Sequence, residues 1–245
     1  MLRPLFLLAV TAAVVSACNQ SQPDTNTTAN DSITAVPAPK AAPAATPMDT
    51  VQIGNVTFFA YYIDKAEFDK YAKPDPDTSE SNLLAHDKDI IREGNSLHIK
   101  LANGLQLTRT NVDSDGDDYV RYSYDRNYAD IHRKGLFLSL YEAQGYELIN
   151  QQNGDTLITW SAPVVSPDRK YLLCANLDMV AGFDPNGFQL FKLENDVIKP
   201  VGEALIEDWG PGKTFWIDNN TILAEYRSYD KTDHEINRHV KLVMQ

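Results

Sequence analysis

The sequence lacks the short motifs that mark the common catalytic sites. Its 245 residues include no HExxH zinc motif, no GxSxG nucleophile elbow, no Walker phosphate loop and no CxxC pair. A Ser/His/Asp triad assembles in space and can escape a linear search, but nothing in the sequence indicates one. The sequence therefore identifies no catalytic residue and favours a protein that is not an enzyme.

Basic residues are scarce relative to acidic ones. The chain has 22 Lys and Arg against 34 Asp and Glu, which gives a formal net charge of −12 and a pI near 4.8. A phosphate backbone repels such a chain, so the composition argues against a nucleic-acid-binding protein. The same charge suits a basic protein partner, or it serves only to keep the protein soluble.

The apolar run at the N-terminus is too short to span a bilayer as a helix. It covers residues 5–15, directly after the positive Arg3, whereas a hydrocarbon core of ~30 Å needs about 20 residues. A positive start, a short apolar run and small residues at its end are typical of a cleaved signal peptide. We predict this signal peptide over residues 1–17.

Cysteine is nearly absent, and the first of the two cysteines follows the signal peptide directly. Val15-Ser16-Ala17-Cys18 resembles a bacterial lipobox. The resemblance implies that Cys18 is the lipid attachment site and the mature N-terminus, with acyl chains that anchor the protein in a membrane. Because Asn19 follows the cysteine, similarity to enterobacterial lipoproteins favours the outer membrane, facing the periplasm of the bacterial envelope. The alternative is an ordinary signal peptide with a chance cysteine.

The second cysteine, Cys174, then has no intramolecular partner. It lies between Leu173 and Ala175 in an apolar run. A buried, inert thiol is the favoured interpretation, because a reactive thiol needs exposed and electropositive surroundings.

Large apolar residues are rare between the signal peptide and the folded part of the chain. Residues 18–50 are rich in Ala, Pro, Thr, Asn and Ser, and such a segment cannot bury enough surface to offset its ordering entropy. We predict a disordered linker over 18–50 and a β-rich domain over 51–245.

The rest of the chain predicts an all-β, mainly antiparallel domain with one short helix. Asp64 and Glu67 form a capping-box pattern, Phe68 and Tyr71 share a helix face, and Pro74 ends the helix. In the hairpin over residues 96–110, a three-residue loop ending at Gly104 pairs Leu101 with Leu105 and Ile99 with Leu107. Burial of a single face selects this register over a two-residue Asn-Gly loop.

One segment carries a resemblance to a known fold. Ser166-Pro167-Asp168-Arg169-Lys170-Tyr171-Leu172 resembles the inner-strand motif of TolB-like and WD-repeat-like β-propeller blades, with Arg169 where those blades have glycine. A weak repeat at an offset of 50 relates residues 167–174 to residues 217–224. The resemblance implies a propeller-like or stacked-sheet domain, propeller-like from about residue 131. An ordinary antiparallel meander is the alternative.

The densest acidic cluster starts like an EF-hand calcium loop. Oxygen side chains stand at 111, 113 and 115, and Gly116 follows. The pattern then fails, because Tyr122 occupies the position of the bidentate glutamate. We predict a hairpin tip that is either a solvated acidic turn or a Ca²⁺ site, and the candidate ligands are Asp113, Asp115 and Asp117.

These features favour a protein-binding module over an enzyme. A membrane anchor, an acidic surface and Tyr-rich strands suit an envelope inhibitor, an immunity protein or an assembly adaptor, with a protein partner that carries basic residues. The alternatives are an envelope hydrolase or carbohydrate-binding domain, with or without dependence on Ca²⁺, and a structural lipoprotein without a specific ligand. Asp178, Asp184 and Trp209 either line one end of the sheets or serve as turn formers and a packing residue.

Overall fold

The computed structural model describes residues 46–74, 77 and 79–245. The predicted signal peptide, Cys18 and the linker up to residue 45 lie outside the described residues. The first strand begins at Asp49, two residues before the boundary predicted at residue 51. Residues Ala44–Gln245 form one compact unit.

Sixteen strands account for most of the described chain. Two short helices, α1 (Lys65–Asp69) and α2 (Glu80–His86), and a 3₁₀ turn at Ala129–Ile131 interrupt them. The strands are β1 (Asp49–Ile53), β2 (Val56–Ile63), β3 (Ile90–Glu93), β4 (Ser96–Lys100), β5 (Gln106–Thr110), β6 (Val120–Tyr128), β7 (Arg133–Leu140), β8 (Gln144–Asn150), β9 (Thr156–Thr159), β10 (Val164–Val165), β11 (Tyr171–Asn176), β12 (Gly187–Glu194), β13 (Val197–Leu205), β14 (Gly210–Trp216), β15 (Thr221–Tyr229) and β16 (Glu235–Met244).

The strands form four antiparallel sheets that follow one another along the chain. Sheet I is β3-β4-β5, sheet II is β6-β7-β8-β9, and sheet III is β10-β11-β12-β13. Sheet IV has the order β14-β15-β16-β2-β1, so the two ends of the domain pair within one sheet. Chain-ordered sheets and a shared terminal sheet are features of propeller blades, and the predicted all-β, mainly antiparallel, stacked-sheet class is confirmed.

Three apolar clusters hold the four sheets together in the order I, II, III, IV. Leu97 and Leu136 belong to the cluster between sheets I and II, and Tyr146 and Leu172 to the cluster between sheets II and III. The cluster between sheets III and IV is the largest and includes Trp209. Several tyrosines of the Tyr-rich strands are therefore core residues, Tyr128 and Tyr146 among them.

The predicted hairpin register is confirmed. Ile99 pairs with Leu107, and the Leu101 N–H donates to the Leu105 carbonyl at 2.8 Å. Gly104 has a φ of +84°, the left-handed conformation that a glycine adopts without a steric penalty.

The Ser-Pro-Asp turn holds Arg169 in a conformation that favours glycine. The Asp168 carboxylate accepts the Ser166 hydroxyl at 2.8 Å and the Lys170 N–H at 3.2 Å. Arg169 has a φ of +60°, which costs a residue with a Cβ more than it costs glycine. The two halves of the 50-residue repeat lie in β11 and β15, the second strands of sheets III and IV.

The predicted helix is present as α1, but not all of its predicted contacts form, and a second helix was missed. Asp64 is the N-cap residue of α1, but its side chain makes no capping hydrogen bond. Phe68 is buried against Phe215 and His239, whereas Tyr71 is exposed. The second helix, α2, was not predicted, because its seven residues are too few to show a helical period.

Buried charged side chains join sheets I and II. Asp87, directly after α2, accepts hydrogen bonds from the Lys134 ammonium and the Tyr124 hydroxyl, and only 1% of Lys134 is exposed. Burial by itself would raise the pKa of Asp87, but these donors lower it below its ordinary value. Glu147 of β8 likewise holds Arg109 of β5, at 2.6 Å.

Candidate interaction surface

The three aspartates of the predicted calcium loop do not converge. The loop connects β5 of sheet I to β6 of sheet II, so the predicted hairpin within one sheet is wrong; a single bridge joins Val112 to Val120. The Asp113 carboxylate pairs with the Arg121 guanidinium at 2.9 Å. Across residues 46–74, 77 and 79–245 no group of three or more His, Cys, Asp or Glu side chains is arranged to hold a metal ion. Calcium binding by Asp113, Asp115 and Asp117 stays a prediction.

Cys174 is a buried thiol of the core between sheets II and III. Its side chain is fully buried, and burial raises its pKa to about 12. A thiol with this pKa holds almost no thiolate at neutral pH. The predicted burial of Cys174 is confirmed, and its lack of reactivity stays a prediction.

A loop of ten residues, 177–186, is held in one shape by the side chain of Asp178. The two oxygens of this carboxylate accept four backbone N–H groups at 2.8 to 3.0 Å, those of Ala181, Gly182, Phe183 and Asp184. These bonds, of which the one from Asp184 weighs most, lower the pKa of Asp178. The loop thus carries its own scaffold although it protrudes from the sheets.

Asn186 and Trp209 fix the base of the same loop. The Asn186 side chain accepts the Asp178 N–H and donates to the carbonyls of Ile206 and Trp209. Trp209 is buried, and its indole N–H donates to the Asp49 carboxylate at 2.9 Å. Asp178 and Trp209 are therefore a turn former and a packing residue, the second of the two interpretations that the sequence allowed.

The fixed loop presents apolar side chains to solvent. Val180 is 77% exposed, Phe183 59% and Leu177 42%. An apolar side chain in water forgoes about 1.5–3 kcal/mol that full burial would supply. Three such side chains on one well-braced loop indicate a surface that gains free energy when a partner covers it.

Two further connections between strands, residues 141–143 and 206–209, lie beside the loop 177–186. We name these three segments together the acidic end. The Gln144 N–H donates to Asp184 at 3.2 Å and joins residues 141–143 to the loop, and a cleft of about 340 Å³ lies between them. The pairing of Gly187 with Leu205 brings residues 206–209 alongside. The strand order of sheets II, III and IV thus gathers the three connections at one end of the stack.

All charged side chains of the acidic end are acidic. Its three connections contain no Lys, Arg or His. The acidic residues are Glu142, Asp178, Asp184, Glu207 and Asp208. Glu142, Glu207 and Asp208 are exposed, and Glu142 has a φ of +59°, a conformation that a residue with a Cβ adopts only at a cost.

Comparison with known proteins gives no relative: no family model, no curated protein and no solved structure matches the chain. Within the described part of the chain, every helix is too short and too polar to cross a membrane.

The sequence signal for the acidic end was present but ambiguous. Asp184-Pro185-Asn186-Gly187 marks a turn, and Val180 and Phe183 interrupt an otherwise polar stretch. Nothing in the linear pattern shows that Asp178 braces this stretch from within, or that residues 141–143 lie beside it.

Proposed function

We propose that this protein is a membrane-anchored binding module of the bacterial envelope, which captures another protein through the acidic end. An inhibitor or immunity protein and an assembly adaptor are the two roles that suit such a module. The observation that carries the proposal is the braced loop 177–186, which keeps Leu177, Val180 and Phe183 in solvent.

Pre-organisation is the physical reason to favour binding. A loop that is already ordered loses little conformational entropy when a partner covers it, so more of the contact energy appears as affinity. Asp178 supplies this order at the loop itself. A loop that served only to connect β11 and β12 would not need an internal carboxylate scaffold with apolar side chains outside it.

The test is a capture experiment with a matched control. The compact unit Ala44–Gln245 serves as bait for envelope and secreted fractions of the source organism, in three forms: wild type, Phe183→Asp and Ile158→Asp. Ile158 on β9 is 57% exposed, close to the 59% of Phe183, and lies outside the acidic end.

We expect the wild-type and Ile158→Asp baits to capture a partner in stoichiometric amount, and the Phe183→Asp bait to lose this partner. A buried aromatic anchor contributes about 2 kcal/mol or more to a protein interface, so its replacement by a charge removes most of the capture. A blank with folded wild-type bait, or equal capture by all three forms, would contradict the proposal.

A further inference from the structure

We infer that the acidic end takes a basic segment with an apolar anchor: one large apolar side chain enters the cleft, and Lys or Arg residues flank it. This inference rests on the proposed function and adds the chemistry of the partner. It is carried by the juxtaposition of exposed apolar side chains, a cleft that apolar and acidic residues line together, and an acidic rim that lacks any basic residue.

The cleft has the size and lining for a side chain. Its volume of about 340 Å³ lies at the lower limit of ligand pockets, about 300–1,000 Å³, which suits one side chain better than an extended ligand. Leu140, Ala143, Leu177 and Phe183 contribute its apolar walls.

The rim selects the charge of the residues around that anchor. Glu142 and Asp184 lie at the cleft, and Glu207 and Asp208 lie on the next connection. Exposed charge pairs add little affinity singly, about 0.2–1 kcal/mol each. Together they steer encounter and reject partners of like charge. Arg has a further advantage, because its guanidinium can stack on the exposed ring of Phe183.

The same charges disfavour the other occupants of an apolar surface. Anionic lipid headgroups attract basic residues and repel a carboxylate rim. A second copy of this chain in a two-fold dimer would place each acidic end against itself. A basic protein segment is the occupant that satisfies both the cleft and the rim.

The test uses three short fluorescent peptides whose binding to the unit Ala44–Gln245 is followed by fluorescence anisotropy. The first peptide combines Phe and Leu with flanking Arg and Lys. The second has Ser in place of Phe and Leu, and the third has Glu in place of Arg and Lys. Each is titrated at about 0.05 M and about 0.3 M salt, which span weak and strong screening.

The protein variants separate local from overall charge. Glu207→Gln with Asp208→Asn removes two charges from the acidic end. Asp130→Asn with Asp218→Asn removes two exposed charges from connections at the opposite end of the sheets. Both pairs leave the same net charge. A further variant, Phe183→Ser, removes the aromatic wall of the cleft.

We expect the first peptide to bind, and the second and third to bind at least about 10-fold more weakly. Phe183→Ser should weaken the first peptide by at least about 10-fold. The pair at 207 and 208 should weaken it about 3-fold, most clearly at low salt. The pair at 130 and 218 should change its affinity by less than about 2-fold, because screening limits charges at the opposite end of the sheets.

Equal binding of the three peptides, equal loss in the two charge pairs, or no binding of the first peptide would each overturn the inference. Preferential binding to anionic vesicles would replace it with a membrane contact, and Phe183-dependent dimerisation would replace it with a second copy. If capture yields a Phe183-dependent partner while the peptides show no charge preference, the proposed function stands and this inference falls.

Discussion

Replacing Asp178 with alanine removes the acceptor of four backbone N–H groups while leaving the sheets untouched. The bonds end on residues 181–184, and the loop meets solvent on its outer side. Net contributions of single hydrogen bonds are about 0.5–1.5 kcal/mol. Because the released N–H groups can turn to water, we take the lower value, and the four bonds together stabilise the loop by about 2 kcal/mol.

This free energy should appear as local opening and not as global unfolding. A change of 2 kcal/mol corresponds to about 30-fold faster exchange, since 1.4 kcal/mol is a factor of ten. We therefore expect the amides of Gly182, Phe183 and Asp184 to exchange about 30-fold faster in Asp178→Ala. Amides of β11 and β12 should keep their rates, and the melting temperature should fall by no more than about 2 °C.

Hydrogen exchange followed by NMR measures these rates residue by residue. Asp178→Asn is the matched variant. It keeps one carbonyl oxygen as an acceptor, so it should lose about half of the free energy that protects these amides from exchange. Since its bonds lower the pKa of Asp178, the scaffold is present above the ordinary carboxyl pKa of about 4 and is lost as pH falls through the lowered value. Unchanged exchange in Asp178→Ala, or a collapse of the whole fold, would refute the reasoning.

Four further predictions concern residues outside the acidic end. Arg169→Gly should raise the free energy of unfolding by about 0.5–1 kcal/mol, because glycine relieves a positive φ at some entropic cost; urea unfolding measures it, and a lower midpoint contradicts it. Cys174, with a pKa near 12, should react with a thiol reagent at pH 8 only after denaturation, and rapid labelling of the folded protein would show that the site opens. Asp87→Ala should lower the free energy of unfolding by about 3–5 kcal/mol, because it leaves Lys134 charged and buried without its carboxylate; a loss below about 1 kcal/mol would show that water reaches this site. The calcium hypothesis predicts that millimolar Ca²⁺ raises the melting temperature and that Asp115→Ala removes the rise; thermal unfolding with and without Ca²⁺ tests it.

The fold class could be predicted because the patterns that determine strands and turns lie within a few neighbouring residues. Alternation around residues 96–110 fixed both the strands and their register, since a shift by one residue would turn leucines to solvent. The Ser-Pro-Asp-Arg segment likewise predicted a turn before a buried strand from four neighbouring residues. The partial repeat at an offset of 50 marked equivalent strands in two successive sheets.

Features that depend on contacts between sheets were not predictable in this way. Asp87 reads as a loop residue, yet α2 and sheet II bury it against Lys134. The acidic loop after β5 was predicted as a hairpin tip because its flanks alternate, but β5 and β6 belong to different sheets. Similarly, the acidic end exists only because three separate connections meet at one end of the stack.

Site-specific photo-crosslinking in the source organism tests the central claim most directly. A photoreactive phenylalanine analogue replaces Phe183 in the full-length protein, and the same analogue replaces Ile158 in the control. The account predicts a discrete crosslinked protein from position 183, weakened by Asp178→Ala, and none from position 158. Illumination that yields no adduct at 183, or the same adducts at both positions, would contradict it.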